Sequence, residues 1–230
     1  MKDLINKGMR LFLSARYRRI SDFLEAPHTT QQRVLHELLK QGSQTEFGRK
    51  FGFADIEDPK TYAKRVPVQG YESFKPYIDR MMMGEADILW PGFVRWFSKS
   101  SGTTAAKSKF IPVPKENLYG NHIRGSWDTV TVMYQNFPES RVFAEKNLVM
   151  GGSLDRFEAN PETRIGDVSA IMLYHFPIFA RSIYTPDFET ALLPNWDEKI
   201  ERMAKICSTE PVTALGGVPT WTIVLFRHIL

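Results

Sequence analysis

The sequence predicts an α/β fold in which helices flank mixed β-sheets. Short runs of β-branched and aromatic residues alternate with longer stretches whose apolar residues recur every three or four positions. This alternation is typical of domains in which strands form sheets and helices cover them. The 230 residues are 43% hydrophobic and 24% charged, an ordinary composition for a globular protein with a buried core.

Helical periodicity dominates the first part of the chain. Residues 3–24 place apolar side chains at helical intervals between arginines, and Pro27 is expected to end this helix. A basic amphipathic helix can lie on a membrane or pack on its own domain, and we favour packing. A second helix is expected from about residue 30, with Gly42 near its C-cap. Its expected buried residues are Val34, Leu35, Leu38 and Leu39.

Helix-start residues and strand-forming runs predict the remaining elements. Asp58 before Pro59 is typical of an N-cap, and Pro76 is expected in the first turn of a helix within residues 71–83. The further predicted elements are strands 94–97, 110–113, 148–150 and 211–215, helix 115–136, a helix ending near His175, a helix capped by Asn195, and a helix from Pro219 to Ile229. The last helix is strongly apolar, so we expect it inside a structure and expect the chain to be cut short at Leu230.

A polar loop, Ser98 to Lys109, separates strands 94–97 and 110–113. Its hydroxyls, the flexible Gly102 and its lysines are suited to an anion, because successive backbone N–H groups in a bend can surround one. An ordinary surface connection has a similar composition, so both interpretations stay open on composition alone. A Walker loop fits poorly, since a second glycine is missing before Lys107 and Pro112 opposes an immediate helix.

Ordered motifs along nearly the whole chain resemble one enzyme family. Ser100-Ser-Gly-Thr-Thr104 followed by Lys109-Phe-Ile-Pro112 looks like the phosphate-binding motif of adenylate-forming enzymes. More narrowly, it resembles that of the auxin-responsive acyl-acid–amido synthetase (Gretchen Hagen) family, which has plant and bacterial members. The accompanying motifs are Thr45–Gly48, Arg65–Val68, Tyr71–Tyr77, Gly84-Glu85, Leu148–Ser153, Gly166–Ser169, Trp196–Lys199 and Gly217–Trp221.

The resemblance implies an ATP-dependent ligase. In the family, a carboxylate attacks the α-phosphate of ATP to give an acyl-adenylate, and an amino acid amine then forms an amide. The implied phosphate ligands are Ser100, Ser101, Gly102, Thr103, Thr104 and Lys109, with Mg²⁺ bridging phosphates. The helix at 115–136 is where the family binds its acid, so Tyr119, Ile123 and Trp127 are candidate pocket residues, although core packing explains their spacing equally well.

Two departures from the family pattern limit this inference. Ala106 stands where the family often has glycine, and alanine restricts the backbone of the loop. The family's motifs for adenine, ribose and metal, and its mobile C-terminal domain, belong beyond the equivalent of Leu230. We therefore expect residues 1–230 to be a partial N-terminal adenylation domain that does not catalyse alone. The alternative is a non-catalytic module that binds a nucleotide or an acyl acid, or a remnant of the enzyme.

Composition narrows the remaining classes of function. A net charge of +4 is mild, and the basic residues are dispersed, so we expect no nucleic-acid partner. No apolar run approaches a membrane span, and no metal-ligand constellation appears, so we expect neither a membrane partner nor a protein metal cluster. The single cysteine, Cys207, lies on an apolar helical face without a histidine to activate it, and is not a candidate nucleophile. One cysteine also fits a reducing compartment, the cytoplasm. The sequence indicates neither the catalytic residues nor the oligomeric state.

Overall fold

The structure is a computed structural model that describes residues 2–100, 108–176 and 182–230. The helices of the described residues are α1 (Lys2–Glu25), α2 (Pro27–Gly42), α3 (Glu46–Phe51), α4 (Pro59–Arg65), α5 (Tyr71–Met82), α6 (Lys115–Asn117), α7 (Arg124–Asn136), α8 (Val168–Tyr174), α9 (Phe188–Ala191), α10 (Trp196–Cys207) and α11 (Pro219–Ile229). A 3-10 turn spans Phe53–Asp55, and a π-helical segment, Leu118–Ile123, joins α6 to α7.

The strands form two sheets. They are β1 (Trp96–Ser100), β2 (Lys109–Pro112), β3 (Lys146–Val149), β4 (Leu154–Phe157), β5 (Asn160–Gly166), β6 (Tyr184–Thr185) and β7 (Val212–Gly216). One sheet has the order β2-β1-β5-β4, with β1 and β2 antiparallel. The other has the order β6-β3-β7 and is parallel. The prediction of an α/β fold with mixed sheets flanked by helices is confirmed.

The chain divides into two compact units. The hairpin unit comprises residues 19–118 and 156–165, and the parallel unit comprises residues 1–18, 119–155 and 166–230. Each unit has buried apolar clusters of its own. In the hairpin unit the cluster contains Ile78, Met81, Met82, Ile88, Val94 and Phe97. In the parallel unit one cluster contains Leu148, Met150, Ile200, Met203, Ala204, Cys207 and Leu225, and another contains Leu13, Tyr134 and Phe143.

The helix starts follow local sequence signals. The Asp58 carboxylate accepts hydrogen bonds from the backbone N–H groups of Lys60 and Thr61, with Pro59 at the first helical position of α4. The Asn195 side chain accepts a hydrogen bond from Glu198 N at the start of α10. Both predicted caps are confirmed. Caps can be predicted from sequence because they depend on contacts within three or four residues.

The predictions for the position of Pro76 and for the burial of Val34 and Leu38 are wrong. Pro76 lies inside α5 rather than in its first turn, since the helix already begins at Tyr71. Val34 and Leu38 are 41% and 48% exposed, because α2 buries a narrower stripe that includes Leu39 and Gly42.

The terminal helix is also more exposed than expected. Leu225 is buried, but Ile223 and Phe226 of α11 are 53% and 45% exposed. An apolar helix therefore presents one face to its cluster and leaves another uncovered. No helix in the described stretches combines the length and the apolar character that spanning a bilayer requires.

Candidate functional site

The predicted phosphate loop is flanked by a β-hairpin. Strands β1 and β2 pair in a register that places Ser98 opposite Ile111 and Ser100 opposite Lys109. Opposite residues of an antiparallel pair have Cβ atoms about 5 Å apart, so a hydroxyl and an ammonium group flank the opening of the loop. Four of the predicted ligands, Ser101, Gly102, Thr103 and Thr104, lie outside the described residues, as does Ala106.

The hairpin is anchored in the core of its unit. Phe97 of β1 is 0% exposed and belongs to the buried cluster with Ile78 and Val94. The backbone N–H of Arg164 donates to the carbonyl of Arg95 at 2.8 Å, which joins the β5 region to the residue before β1. A loop that emerges from strands fixed in this way has a defined position for both of its ends.

Lys109 lies at the start of β2 with an exposed side chain. Its Nζ is 5.3 Å from the centroid of the Tyr71 ring, a cation–π distance. The Tyr71 hydroxyl accepts a hydrogen bond from Phe110 N at 2.9 Å and lies 3.3 Å from Phe110 O, to which it donates. The sequence identifies Tyr71 only as the first residue of a motif, and nothing local in the sequence shows that it contacts Phe110, which lies 39 positions away.

The candidate acyl-pocket residues fall in different surroundings within the parallel unit. Tyr119, on the π-helical segment, is 45% exposed and makes an edge contact with His175 at 6.1 Å between ring centroids. The ring centroid of Trp127 in α7 lies 6.1 Å from that of Phe12 and 6.3 Å from that of Phe143.

The π-helical segment explains why Tyr119 and Trp127 have different surroundings. A π-helix has a wider turn than an α-helix, so side chains before and after it no longer share one regular face. Ile123 ends the segment and is half-buried. Trp127 therefore packs against the Leu13 cluster, while the surroundings of Tyr119 include His175. The assignment of Tyr119, Ile123 and Trp127 to an acid pocket stays a prediction.

A second polar arrangement lies at the carboxyl end of β3. Lys199 of α10 is only 2% exposed, and its Nζ donates to the carbonyl oxygens of Gly151 and Gly152 at 2.9 and 3.0 Å. Burial lowers the pKa of Lys199, against the opposing effect of the Asp167 charge. Asp167 also accepts a hydrogen bond from Ser153 N at 3.1 Å. These bonds fix a turn at the sheet edge where open α/β folds bind ligands.

Glycine is required at position 152 of this turn. A Cβ at Gly152 would overlap the Asp167 carboxylate, and one at Gly151 would come within 2.6 Å of Leu173 Cδ1. The sequence indicated a turn at residues 151–153, but it did not indicate that Lys199 and Asp167 hold it, because these partners are distant along the chain.

Two further observations bear on the chemistry. Burial raises the pKa of the Cys207 thiol, which is the opposite of what an activated nucleophile requires. Within the described residues, no group of three or more histidine, cysteine, aspartate or glutamate side chains has the arrangement of a metal site. The described part of the site therefore offers hydroxyl, ammonium and backbone groups.

Comparison with known proteins shows which family this sequence is similar to. The sequence model of the GH3 family N-terminal domain matches residues 16–151, more than half of the chain. The chain is 36% identical over 100 residues to the indole-3-acetic acid-amido synthetase GH3.2 of Arabidopsis thaliana, covering 43% of this chain and 18% of that protein. It is 30% identical over 96 residues to the 4-substituted benzoates-glutamate ligase GH3.12 of the same plant, covering 41% and 16%.

Solved structures give the same relationship at the level of the fold. The GH3.15 acyl acid amido synthetase superposes with a TM-score of 0.74 at 20% identity, covering 93% of this chain and 38% of that one. A complex of AtGH3.15 with 2,4-DB gives a TM-score of 0.65 at 21% identity, covering 86% and 35%. The chain thus spans less than two fifths of these solved structures, and its matched segment is less than one fifth of the curated relatives.

Proposed function

Since the chain belongs to the GH3 family, we propose that it contains the ATP-phosphate-binding part of an acyl acid amido synthetase. The observation that supports this proposal most directly is the register of the hairpin, with Ser100 opposite Lys109 at the opening of the loop. The hydroxyls of Ser100, Ser101, Thr103 and Thr104, the backbone at Gly102, and the Lys109 ammonium are the proposed phosphate ligands. These groups provide hydrogen-bond donors and a positive charge, and both stabilise the negatively charged oxygens of a polyphosphate.

The proposed reaction has two steps. A carboxylate oxygen of the acid attacks the α-phosphorus of ATP. The bond from that phosphorus to the bridging oxygen breaks, and pyrophosphate leaves with the electron pair. The nitrogen of an amino acid then attacks the acyl carbon, AMP leaves, and the nitrogen loses a proton to give the amide.

The chemistry of the first step explains the need for these residues. Carboxylate and triphosphate repel each other, and negative charge accumulates on the departing pyrophosphate. Donors fixed in advance around the β- and γ-phosphates hold the triphosphate in place against that repulsion and stabilise the charge that develops on the pyrophosphate. Lys109 provides the cation at one end of the loop, and the serine and threonine hydroxyls provide neutral donors along it.

Magnesium is proposed to enter with the nucleotide as MgATP. The hydroxyl-rich loop fits this arrangement, because Mg²⁺ in nucleotide sites is held largely by phosphate oxygens and water, with few protein ligands. The ion would neutralise phosphate charge when bound. The protein residues proposed above orient the phosphates themselves.

The proposed substrates are a small carboxylic acid and an amino acid. The relatives are named for indole-3-acetic acid and for 4-substituted benzoates, so the acid differs between members of the family. Tyr119, Ile123 and Trp127 remain the proposed pocket residues. We further propose that residues 1–230 form part of the N-terminal adenylation domain and that the protein acts in the cytoplasm.

Substitution of Lys109 tests the assignment of the loop. In the complete protein, Lys109→Ala is expected to lower acid-dependent ATP–pyrophosphate exchange by about 100-fold, the usual effect of removing a group that stabilises developing charge. The control is Lys60→Ala, which removes an exposed lysine of α4 and is expected to leave exchange unchanged. Exchange that persists in Lys109→Ala at the rate of the unmodified protein would overturn the proposal.

A further inference from the structure

We infer that Tyr71 is a positioning residue that holds Lys109 for the phosphates of the nucleotide. The inference rests on the proposed function, because it needs Lys109 to bind phosphate. It concerns a residue of α5 that is outside the loop and is not itself a proposed ligand. Three contacts between Tyr71 and the start of β2 support it.

Two of these contacts fix the backbone next to Lys109. The Tyr71 hydroxyl accepts a hydrogen bond from Phe110 N at 2.9 Å and donates one to Phe110 O at 3.3 Å. Along an antiparallel strand, backbone N–H and C=O groups point alternately to either side. The groups of Phe110 therefore point away from β1, and in the described sheet order β2 is an edge strand. The phenol satisfies the groups that a further strand would otherwise bind.

The third contact fixes the side chain of Lys109. Its Nζ lies 5.3 Å from the centroid of the Tyr71 ring. A cation above an aromatic face is attracted by the ring electrons and keeps its N–H donors available. The ring thus restricts the long lysine side chain without occupying the hydrogen-bond donors that a phosphate would use. This arrangement lowers the entropy that Lys109 would lose on binding.

Tyr71 is itself held rigidly. It is the first residue of α5, after Gly70 at the N-cap, and its ring packs against the buried cluster that contains Ile78 and Phe97. A side chain fixed by both a helix and a core can hold a flexible partner in one place. The strand that begins at Lys109 is therefore fixed on one side by β1 and on the other by Tyr71.

The same helix provides a matched control. Tyr77 of α5 accepts a hydrogen bond from Lys50 Nζ at 2.9 Å, and that Nζ is 5.6 Å from the centroid of the Tyr77 ring. Like Tyr71, Tyr77 has a lysine ammonium beside its ring, but its hydroxyl bonds that lysine instead of a strand backbone, and Lys50 is not in the loop motif. Tyr77→Phe removes a hydroxyl from a tyrosine–lysine pair without altering the surroundings of Lys109.

The experiment measures MgATP binding by calorimetry in the complete protein. Tyr71→Phe keeps the ring and loses both hydroxyl contacts that fix the backbone beside Lys109, so the dissociation constant is expected to rise about 5-fold, within the usual range for lost hydrogen bonds. Tyr71→Leu also loses the ring and is expected to bind more weakly still. Tyr77→Phe is expected to bind as the unmodified chain does. If Tyr71→Leu does not fold, Tyr71→Phe alone decides the result.

A double-mutant cycle with Lys109→Ala identifies how Tyr71 acts. If Tyr71 acts through Lys109, Tyr71→Phe combined with Lys109→Ala binds no more weakly than Lys109→Ala alone. Amide hydrogen exchange of Phe110 is a second readout, and it is expected to accelerate in Tyr71→Phe and stay unchanged in Tyr77→Phe.

The possible results separate the two proposals. Additive effects in the cycle, or unchanged binding in Tyr71→Phe, overturn the role of Tyr71 while the phosphate-loop assignment stands. Binding that does not depend on Lys109, or no MgATP binding by the unmodified chain, overturns the phosphate-loop assignment and this inference with it.

Discussion

At the scale of single residues, the environment of Lys199 shows how one buried cation supports a turn. Its Nζ donates to two carbonyl oxygens of the turn after β3, while Asp167 accepts a hydrogen bond from Ser153 in the same turn. Buried carbonyl groups are costly when they lose their donors. The lysine is therefore a structural bridge between α10 and the carboxyl end of β3, not a solvated surface charge.

Replacing this lysine by an apolar residue of similar length tests the bridge. Lys199→Met leaves the Gly151 and Gly152 carbonyls without their donor, so we expect the free energy of unfolding to fall by about 2 kcal/mol. In urea denaturation this corresponds to a midpoint lower by about 1 M. The control is Lys205→Met, at an exposed position of the same helix, with an expected change below about 0.5 kcal/mol. Equal effects of the two substitutions would contradict the bridge.

The lowered pKa of Lys199 predicts that the stability of the protein depends on pH. Burial lowers the pKa of Lys199 in the folded state from its ordinary value of 10.5. Between the lowered folded pKa and 10.5 the unfolded chain binds more protons, so this contribution to stability rises with pH and is lost as the pH falls through the folded pKa. The Lys199→Met protein has no titratable group at this position, so it lacks this pH-dependent contribution to stability. The difference in unfolding free energy between the two proteins is therefore expected to widen as the pH rises through that window.

Single-residue roles were the least predictable feature of the candidate site. Ser100 and Lys109 were identified because they belong to a contiguous motif, and the structure places them opposite each other. Tyr71 and Lys199 lie 39 and 48 positions from the groups that they contact, and no local pattern encodes such a contact. Long-range partners depend on how the elements pack, which the periodicity of one sequence does not specify.

At the scale of elements, α2 and α3 approach so closely that one position must be glycine. A Cβ on Gly48 would overlap the carbonyl oxygen of Gly42 and lie 2.8 Å from its carbonyl carbon. Thr45 connects the same two helices, because its hydroxyl donates to Gly42 O at 2.7 Å and accepts from Gly48 N at 3.0 Å. The Thr45–Gly48 motif therefore combines a helix cap with a close backbone contact.

This packing predicts opposite effects for two glycine substitutions. Gly48→Ala forces backbone atoms apart and is expected to destabilise the protein by about 2 kcal/mol. Gly125→Ala, in α7 with nothing within 4 Å of an added Cβ, is expected to stabilise it by about 0.5–1 kcal/mol through helix propensity. Thermal denaturation of both variants measures the difference. A Gly48→Ala protein as stable as the unmodified chain would show that the helices separate freely.

Elements were predictable where local chemistry defines them. The caps at Asp58 and Asn195 and the strands on either side of the loop follow from short-range signals, although β1 and β2 extend to include Ser100 and Lys109. The sequence does not predict strands β4, β5 and β6. In β5 the reason is local, because this strand begins with Asn160-Pro-Glu-Thr and lacks a continuous apolar pattern. Its Thr163 hydroxyl donates to Met82 O at 2.9 Å, so a contact from α5 helps to hold this polar strand.

At the scale of the whole molecule, the chain joins two units that differ in the groups they present. The hairpin unit contains Ser100 and Lys109, and the parallel unit contains the turn held by Lys199 and the candidate pocket residues. The resemblance to the family assigns adenine, ribose and metal binding to motifs that are not among these residues. Adenylation needs the nucleotide and the acid oriented together, whereas phosphate binding needs only the loop.

Residues 1–230 are therefore expected to bind MgATP without catalysing the first half-reaction. Binding by calorimetry and acid-dependent ATP–pyrophosphate exchange should be measured on one preparation of this polypeptide, with Lys109→Ala as the control for binding. We expect Lys109-dependent binding and no exchange, because the loop orients the phosphates, whereas the family resemblance assigns the groups that hold adenine, ribose and the metal ion to motifs outside these residues. Acid-dependent exchange by the unmodified 230-residue chain would show that these two units already contain a complete adenylation site. Absence of both MgATP binding and exchange would contradict the expectation that this loop binds the nucleotide without the motifs for adenine and ribose.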